Sequence, residues 1–269
     1  MRARLDWLGN LKYLAARLRG PGAMAWARHR DSGLRFRVSV RDVVGRTILR
    51  RRAYEPVLTG WLLQRLGAGV PGVFVDAGAN LGWFSLQAAR IARVRRVVAV
   101  EPDMANHALL RTNIEANRAG DRVSPVACAL GAGPGLARLH AYKGSNLGRH
   151  SLLVDHGQGG SWVPVLSLDG LLGALGLAGE PVAAIKIDVE GYEPQVLAGA
   201  ASALRRCESL VVELSPGLLP GGPAGLQGLL SEIAAAGLVP AVWDGQGPVP
   251  SLAELQGLES QVTVGFARA

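Results

Sequence analysis

The sequence predicts an α/β fold in which a mostly parallel sheet carries helices on both faces. Three observations predict it. From residue 73 onward, short apolar runs alternate with helical patterns, the order expected of parallel strands joined by helical crossovers. One run, Phe74-Val-Asp-Ala-Gly-Ala-Asn-Leu-Gly-Trp-Phe-Ser85, turns through Gly78 and Gly82 directly into a helix. The 269 residues are 49% hydrophobic and 19% charged, which suits one sizeable core and excludes a disordered chain.

Residues 1–70 read as a basic, mainly helical extension packed on a single catalytic domain, residues 71–269. Residues 1–52 hold fourteen Lys and Arg against Asp6, Asp31 and Asp42, a net charge of +11; the remainder holds fifteen against eighteen acids, a net −3. Such a segment can attract nucleic acid, anionic lipid or an anionic substrate. With no zinc-ligand spacing and no aromatic-interleaved basic stripe, it reads instead as an Arg-rich solvated surface. Within it, Leu5, Leu8, Leu11, Tyr13, Leu14 and Leu18 suggest an amphipathic helix, expected to pack on the body of the protein rather than on a membrane. No stretch has signal-peptide or membrane-spanning character, and Cys128 and Cys207 sit in apolar runs as buried free thiols, so the expected location is the cytoplasm.

The first strand is expected over 73–77, followed by a helix to about residue 91. The second strand covers 97–101 with a helix over 104–117, and the third covers 123–130. Residues 131–165, rich in Gly, His and Arg, break the rhythm. They read as an inserted, substrate-facing segment with a strand pair at 137–142 and 162–165. Parallel order resumes with a strand at 183–188, a helix at 194–205 and a strand at 209–214. A loop at 216–225, a helix at 226–236 and a final strand pair at 238–243 and 261–266 complete the chain.

The 74–85 segment carries the strongest chemical signal. Glycines at its turn admit backbone conformations closed to other residues and let a ligand approach the main chain, which places a small-molecule site at the strand's carboxyl end. A dinucleotide fingerprint starting at Gly78 needs glycine at positions 80 and 83, where Asn80 and Trp83 stand, and no phosphate-cradling loop is present. The spacing suits a cofactor without a pyrophosphate, bearing an amino-acid tail and a sulfonium. Asp76 would supply negative charge, and the backbone of Gly78, Ala79, Asn80 and Gly82 would meet the tail. Glu101, 25 residues beyond Asp76 and followed by Pro102, is placed to accept both hydroxyls of a ribose. Small residues at Cys128 and Ala129 leave a slot beside an adenine.

Asp76-Ala-Gly-Ala-Asn-Leu-Gly82, Glu101-Pro102, Ser167-Leu-Asp169, Ile185-Lys-Ile-Asp-Val-Glu-Gly191 and Val211-Val-Glu-Leu214 together resemble the FkbM family of methyltransferases. Arg41-Asp-Val-Val-Gly45 and Tyr54-Glu-Pro56 also resemble its N-terminal pattern. The glycine motif is shared by many methyltransferases, whereas the Lys186 to Gly191 block is more specific. The resemblance implies a Rossmann-like class I methyltransferase fold, with a seven-stranded, mostly parallel sheet and one reversed strand. It also implies S-adenosyl-L-methionine as cofactor and methylation of a hydroxyl on a sugar, polyketide or other natural product.

Strand geometry points Lys186, Asp188 and Glu190 to one face while the strand lasts. Asp188 is expected to contact the cofactor or the acceptor hydroxyl, with Lys186 or Glu190 assisting. The inserted loop offers Lys143, Ser145, Asn146, Arg149 and His150 to a small-molecule or glycan acceptor, and His150 is the second candidate base. A cation held by Asp188 and Asp155 has no supporting ligand cluster, so no metal is expected. An N-methyltransferase would favour an acidic or aromatic pocket for an amine. A nucleic-acid amino methyltransferase would show an Asn/Asp-Pro-Pro-aromatic block where Asp188-Val-Glu-Gly191 stands. A noncatalytic binding protein would rely on the +11 segment.

Overall fold

The computed structural model describes residues 7–20, 22–142 and 150–268. Lys143, Ser145, Asn146 and Arg149 of the expected acceptor loop, and Leu5 of the first helix, lie outside the described residues.

The N-terminal part opens with α1 (Trp7–Arg17) and a two-stranded antiparallel hairpin, β1 (Met24–Arg28) with β2 (Arg35–Ser39). The sequence reading of this part as mainly helical omits the hairpin. Its signal was alternation: in Arg35-Phe36-Arg37-Val38 the arginines are exposed and Phe36 and Val38 fully buried. Two helices follow, α2 (Val43–Arg51) and α3 (Pro56–Ala68). Asp42 caps α2 by accepting from the Gly45 N–H at 2.7 Å.

The main sheet then begins with β3 (Gly72–Ala77), α4 (Trp83–Ala88), β4 (Val94–Val100), α5 (Met104–Ala116) and β5 (Val123–Val126). The third apolar run does not continue as one strand. It bends after Val126, and its end becomes β6 (Ala129–Leu130), which joins β7 (Gly135–His140) and β8 (Gly160–Leu166) in a separate three-stranded sheet. Both pieces carry buried apolar residues, so hydrophobicity alone cannot mark the bend.

Helix α6 (Leu168–Ala174), absent from the sequence reading, leads to β9 (Val182–Ile187), α7 (Glu193–Ala198) and α8 (Ala201–Arg205). The last two were expected as one helix. The break falls at Gly199, where a Cβ would collide with the Gly131 carbonyl, and Asp169 holds the new start by accepting from Ser202 and Ala203 N–H at 2.7 and 2.8 Å. The Ser167 and Asp169 pair is thereby architectural, for Ser167 caps α6 through the Gly170 N–H. Then come β10 (Ser209–Leu214), α9 (Pro223–Ala235), β11 (Leu238–Trp243), the short α10 (Leu252–Gln256) and β12 (Val262–Arg268).

The main sheet has seven strands in the order β11-β12-β10-β9-β3-β4-β5. β12 runs antiparallel to both neighbours, and the other paired strands are parallel. This is the Rossmann-like class I methyltransferase arrangement with one reversed strand. Successive β3 side chains serve opposite faces: Val73, Val75 and Ala77 pack with Leu226, Leu230 and Ile233 of α9, while Phe74 packs on the other side. That second core includes Phe36, Val38, Ile48 and Leu62, so the N-terminal part covers the sheet instead of merely lying beside it. Asn113 of α5 and Asn117 at its C-cap, one turn apart, bind β2 as a neighbouring strand would. Their Oδ1 atoms accept from Arg37 and Arg35 N–H at 2.6 and 2.9 Å, and their Nδ2 groups donate to the same residues' carbonyls. Helix α1 packs on α2 at Gly9, with Ala16 in the second core and Tyr13 against it, and turns Trp7, Leu11, Leu14 and Leu18 outward.

Candidate active site

The glycine turn lies between β3 and α4, at the carboxyl edge of the sheet. The chain builds from β3 outward through β4 and β5, then returns to place β9 on the other side of β3. Such a switch point opens a crevice for ligands. Gly78 has φ +77°, and a Cβ there would run into the Asp188 carbonyl oxygen, so the loop can lie against the end of β9 only as glycine. The N–H groups of Gly78 and Ala79 both donate to Val100 O at 3.0 and 2.9 Å. Asn80, itself left-handed at φ 49°, donates to Glu101 Oε2 at 2.7 Å, and Gly82 donates to Ala79 O at 2.8 Å. These four N–H groups are bonded within the fold, while Gly78, Ala79 and Asn80 line the cavities at this edge of the sheet. What the loop offers a ligand is its shape, its carbonyls and the Asn80 side chain.

Two cavities meet at Gly78, Glu101 and Asp188. The first, about 530 Å³, runs over Pro102, Cys128, Ala129 and Leu130 and is closed by Leu139 and Tyr192. The second, about 780 Å³, is polar: Lys186, Asp188, Glu190 and Glu213 line it, with Tyr54 and Phe84. Glu101 stands on the wall between them. Oε2 accepts from Asn80 and Oε1 from Asp103 N–H at 2.9 Å, which fixes the carboxylate and leaves each oxygen a further lone pair. Burial pushes its pKa up to about 7, with the two backbone N–H bonds pulling the other way.

Lys186 is the hub of the polar side. Its Nζ lies 3.0 Å from Asp188 Oδ2, 3.8 Å from Asp76 Oδ1 and 5.2 Å from the centre of the Phe84 ring. Burial works against the ammonium, but Asp188, Asp76 and Glu55 together outweigh it and hold the lysine protonated. Lys186 can therefore orient and neutralise, not abstract a proton. Asp76 lines neither cavity. It is fully buried, accepts from Ser85 Oγ at 2.6 Å and supports Lys186 from behind the loop. Burial raises its pKa, an effect that Lys186 and Ser85 oppose.

His150 does not reach the polar cavity. It lines the first one, where Nδ1 accepts from Tyr142 N–H at 3.1 Å and Nε2 faces Asp103 Oδ2 at 3.9 Å. Its Nδ1 is thus occupied, and it approaches the site from the slot, which shares Gly78, Glu101 and Asp188 with the polar cavity. Glu190, buried and left-handed at φ 51°, does line the polar cavity, and its carbonyl accepts from Ser151 Oγ at 3.1 Å. Asp155 lies 3.4 Å from His140 Nδ1, away from Asp188, whose acidic neighbours are Glu190 and Glu213. Carboxylate oxygens of those three lie within 4.8 Å of one another, a spacing that can hold a cation, and the Lys186 ammonium already neutralises Asp188.

Tyr54, Glu55 and Glu213 are the polar residues that sequence reasoning missed here. Glu213 lies in the Val211 to Leu214 block, but nothing in strand alternation marks one acid among buried neighbours as functional. Burial, then Asp188 and Glu190, push its pKa well up. Glu55 holds a strained φ of 40° at the start of α3 and makes no cap bond there. Burial, reinforced by Asp188, pushes its pKa up to about 7, and its carboxylate accepts from the Tyr54 hydroxyl. Its signal was an acid ahead of Pro56 that does not cap the helix it precedes.

Among solved structures, the chain is similar to an O-methyltransferase from Bacillus cereus in complex with SAH, at 15% identity and TM-score 0.44 over 78% of this chain and 79% of that one. It is also similar to SMU.1697c, a putative methyltransferase from Streptococcus mutans in complex with SAH, at 11% identity and TM-score 0.47 over 79% and 96%. A third is M. jannaschii TYW2 in complex with AdoMet, at 13% identity and TM-score 0.42 over 93% and 89%. No curated protein matches the sequence. The model of the methyltransferase FkbM domain matches residues 76–237, more than half of the chain, from the first acid of the glycine loop to the turn before β11. The chain belongs to the FkbM methyltransferase family.

Proposed function

We propose that this methyltransferase uses S-adenosyl-L-methionine to methylate a hydroxyl of a small-molecule or glycan acceptor such as a sugar, polyketide or other natural product. The observation that carries the reading is the junction at Gly78, Glu101 and Asp188 of an apolar slot and an acid-lined cavity. We assign the adenosine to the slot because the small and apolar Cys128, Ala129 and Leu130 line it and Glu101 keeps lone pairs for the ribose hydroxyls. The cofactor supplies a methyl carbon activated by a sulfonium, so that an acceptor oxygen can displace a neutral thioether.

In this reading the chain's own residues orient the acceptor and accept its proton. Asp188, half-buried and held by Lys186, accepts the hydroxyl hydrogen bond and takes the proton as the oxygen gains its methyl group. Glu190 and Glu213 hold neighbouring polar groups of the acceptor. Orientation of this kind can be worth effective molarities of about 10⁵ to 10⁸ M, whereas a base contributes about 10² to 10⁴. Residues 71–269 form the catalytic domain, and residues 1–70 an extension that lends Val44 and Tyr54 to the acceptor cavity. The buried free thiols of Cys128 and Cys207 suit the cytoplasm.

A second reading, N-methylation of an amine, is favoured by one observation. The polar cavity combines the carboxyl groups of Asp188, Glu190 and Glu213 with the rings of Tyr54 and Phe84. Calorimetric titration should show binding of S-adenosylmethionine and its demethylated product, and weaker binding of NAD or ATP. Tighter binding of NAD would refute the cofactor assignment. A labelled-methyl screen against hydroxyl and amine acceptors then separates the two readings.

A further inference from the structure

Helix α1 has two faces with opposite uses. Its small residues meet α2: a Cβ at Gly9 would lie 2.6 Å from the Leu49 carbonyl, Ala16 is buried, and the Arg50 guanidinium lies 5.3 Å from the centre of the Tyr13 ring. Four of its large apolar side chains point away. Trp7, Leu11 and Leu14 are 68%, 53% and 54% exposed, and Leu18, in the turn that ends the helix, is 89% exposed. At about 100° per residue these four fall within an arc of about 60°, so they form one stripe about 16 Å long. The charge around the stripe has one sign. Lys12, Arg17 and Arg19 are exposed beside it, residues 1–52 carry +11, and the acids among the described residues of that segment are Asp31 and the buried helix cap Asp42.

We propose that α1 docks the protein on an anionic lipid surface, burying Trp7, Leu11, Leu14 and Leu18 at the boundary of headgroups and acyl chains while its basic residues meet the headgroups. A nucleic acid would satisfy the charge and leave the apolar stripe in water. A second copy of the chain would cover the stripe but bring two strongly basic segments together. A lipid surface answers both features at once. Because the helix is short, the apolar stripe alone binds weakly and the electrostatic attraction is required, which makes docking reversible and salt-sensitive. Helix α2, on which α1 sits, also carries Val44 in the wall of the polar cavity, so the anchor and the acceptor site share one element.

The test is sedimentation of the full chain with vesicles of mixed phosphatidylglycerol and phosphatidylcholine, and with vesicles of phosphatidylcholine alone. The expected result is binding about tenfold or more stronger to the anionic vesicles, weakening as salt rises. A Leu11→Glu/Leu14→Glu variant should lose that binding by about tenfold or more. Both positions are exposed, so the variant should keep its cofactor affinity by calorimetry, a readout that checks the fold and stands apart from the methyltransferase reading. Lys12→Gln/Arg17→Gln/Arg19→Gln should flatten the salt dependence. Equal vesicle binding by wild type and the Leu11→Glu/Leu14→Glu variant would overturn the proposal, as would absence of binding by wild type. So would a dimer, or a complex with duplex nucleic acid, formed by a wild-type chain that ignores vesicles.

Discussion

The two cavities of the active site are built from the same sheet edge but from different kinds of sequence. The apolar slot draws most of its wall from one stretch, residues 77–152, and its key acid, Glu101, follows the strand next to the glycine loop. The polar cavity gathers Val44, Tyr54, Lys186, Glu190, Glu213 and Gln261 from across the chain. A site assembled from consecutive strand ends is held by the sheet register. A site assembled from distant segments depends on charge balance around one residue, here Lys186. The two should therefore fail in different ways.

The largest effect is expected at the hinge that both cavities share. Gly78→Ala puts a methyl group into the Asp188 carbonyl at a φ of +77°, so β9 and the loop must separate. Cofactor affinity should fall by about 100-fold or more, about 3 kcal/mol, and unfolding free energy by about 1–3 kcal/mol. Calorimetry and urea unfolding would measure both; unchanged affinity would mean that the loop does not shape the slot.

The second effect belongs to the polar cavity alone. Asp188→Asn keeps the shape but removes the charge facing Lys186, so turnover should drop about 10² to 10⁴ while cofactor affinity stays within about tenfold. Full turnover at saturating acceptor would make this carboxylate a structural partner of Lys186. The matching change on the other side, Glu101→Ala, should cost about 1–3 kcal/mol of cofactor affinity with a smaller change in turnover once the cofactor saturates. If Glu101→Ala lowered turnover at saturation as much as Asp188→Asn does, the division of labour between the cavities would be wrong.

That contrast also accounts for what could be read without coordinates. The parallel strands were legible because both faces of β3 and β9 are buried and their apolar runs are continuous. Asp188 and Glu190 were legible as cavity residues because they follow the end of a strand. The direction of Asp76 was not legible, because sequence spacing cannot tell an acid that points into a crevice from one that points behind it toward Ser85 and Lys186. Nor was the setting of His150: a loop histidine's partners, here Tyr142 and Asp103, are set by tertiary contacts with no periodic trace. Tyr54 and Glu55 stand more than 130 residues before Asp188, and only folding brings the three together.

The smallest effect expected is a dependence on pH, and its sign runs oppositely for folding and for binding. Glu101, Glu55 and Glu193 are each pushed up to about 7 by burial. A carboxyl group whose folded value lies above its unfolded one holds a proton longer in the folded state. Its stabilising contribution is full below the unfolded value, 4.5, and is lost as pH rises through about 7. His29 and His107, lowered mainly by burial, work the other way over a neighbouring range. A variant difference isolates the acid. Glu101→Gln has no carboxylate to ionise, so relative to wild type it should gain about 1–3 kcal/mol of stability between pH 5 and pH 8, measured by urea unfolding without cofactor. Cofactor affinity should move in the opposite sense: the ionised Glu101 is the better acceptor for two hydroxyls, so wild-type affinity should rise through pH 7 while that of Glu101→Gln stays flat. A stability difference that did not change with pH would place the ionisation of Glu101 elsewhere. Parallel pH profiles of affinity in the two proteins would remove Glu101 from the ribose and leave the apolar slot to the shape of Cys128, Ala129 and Leu130 alone.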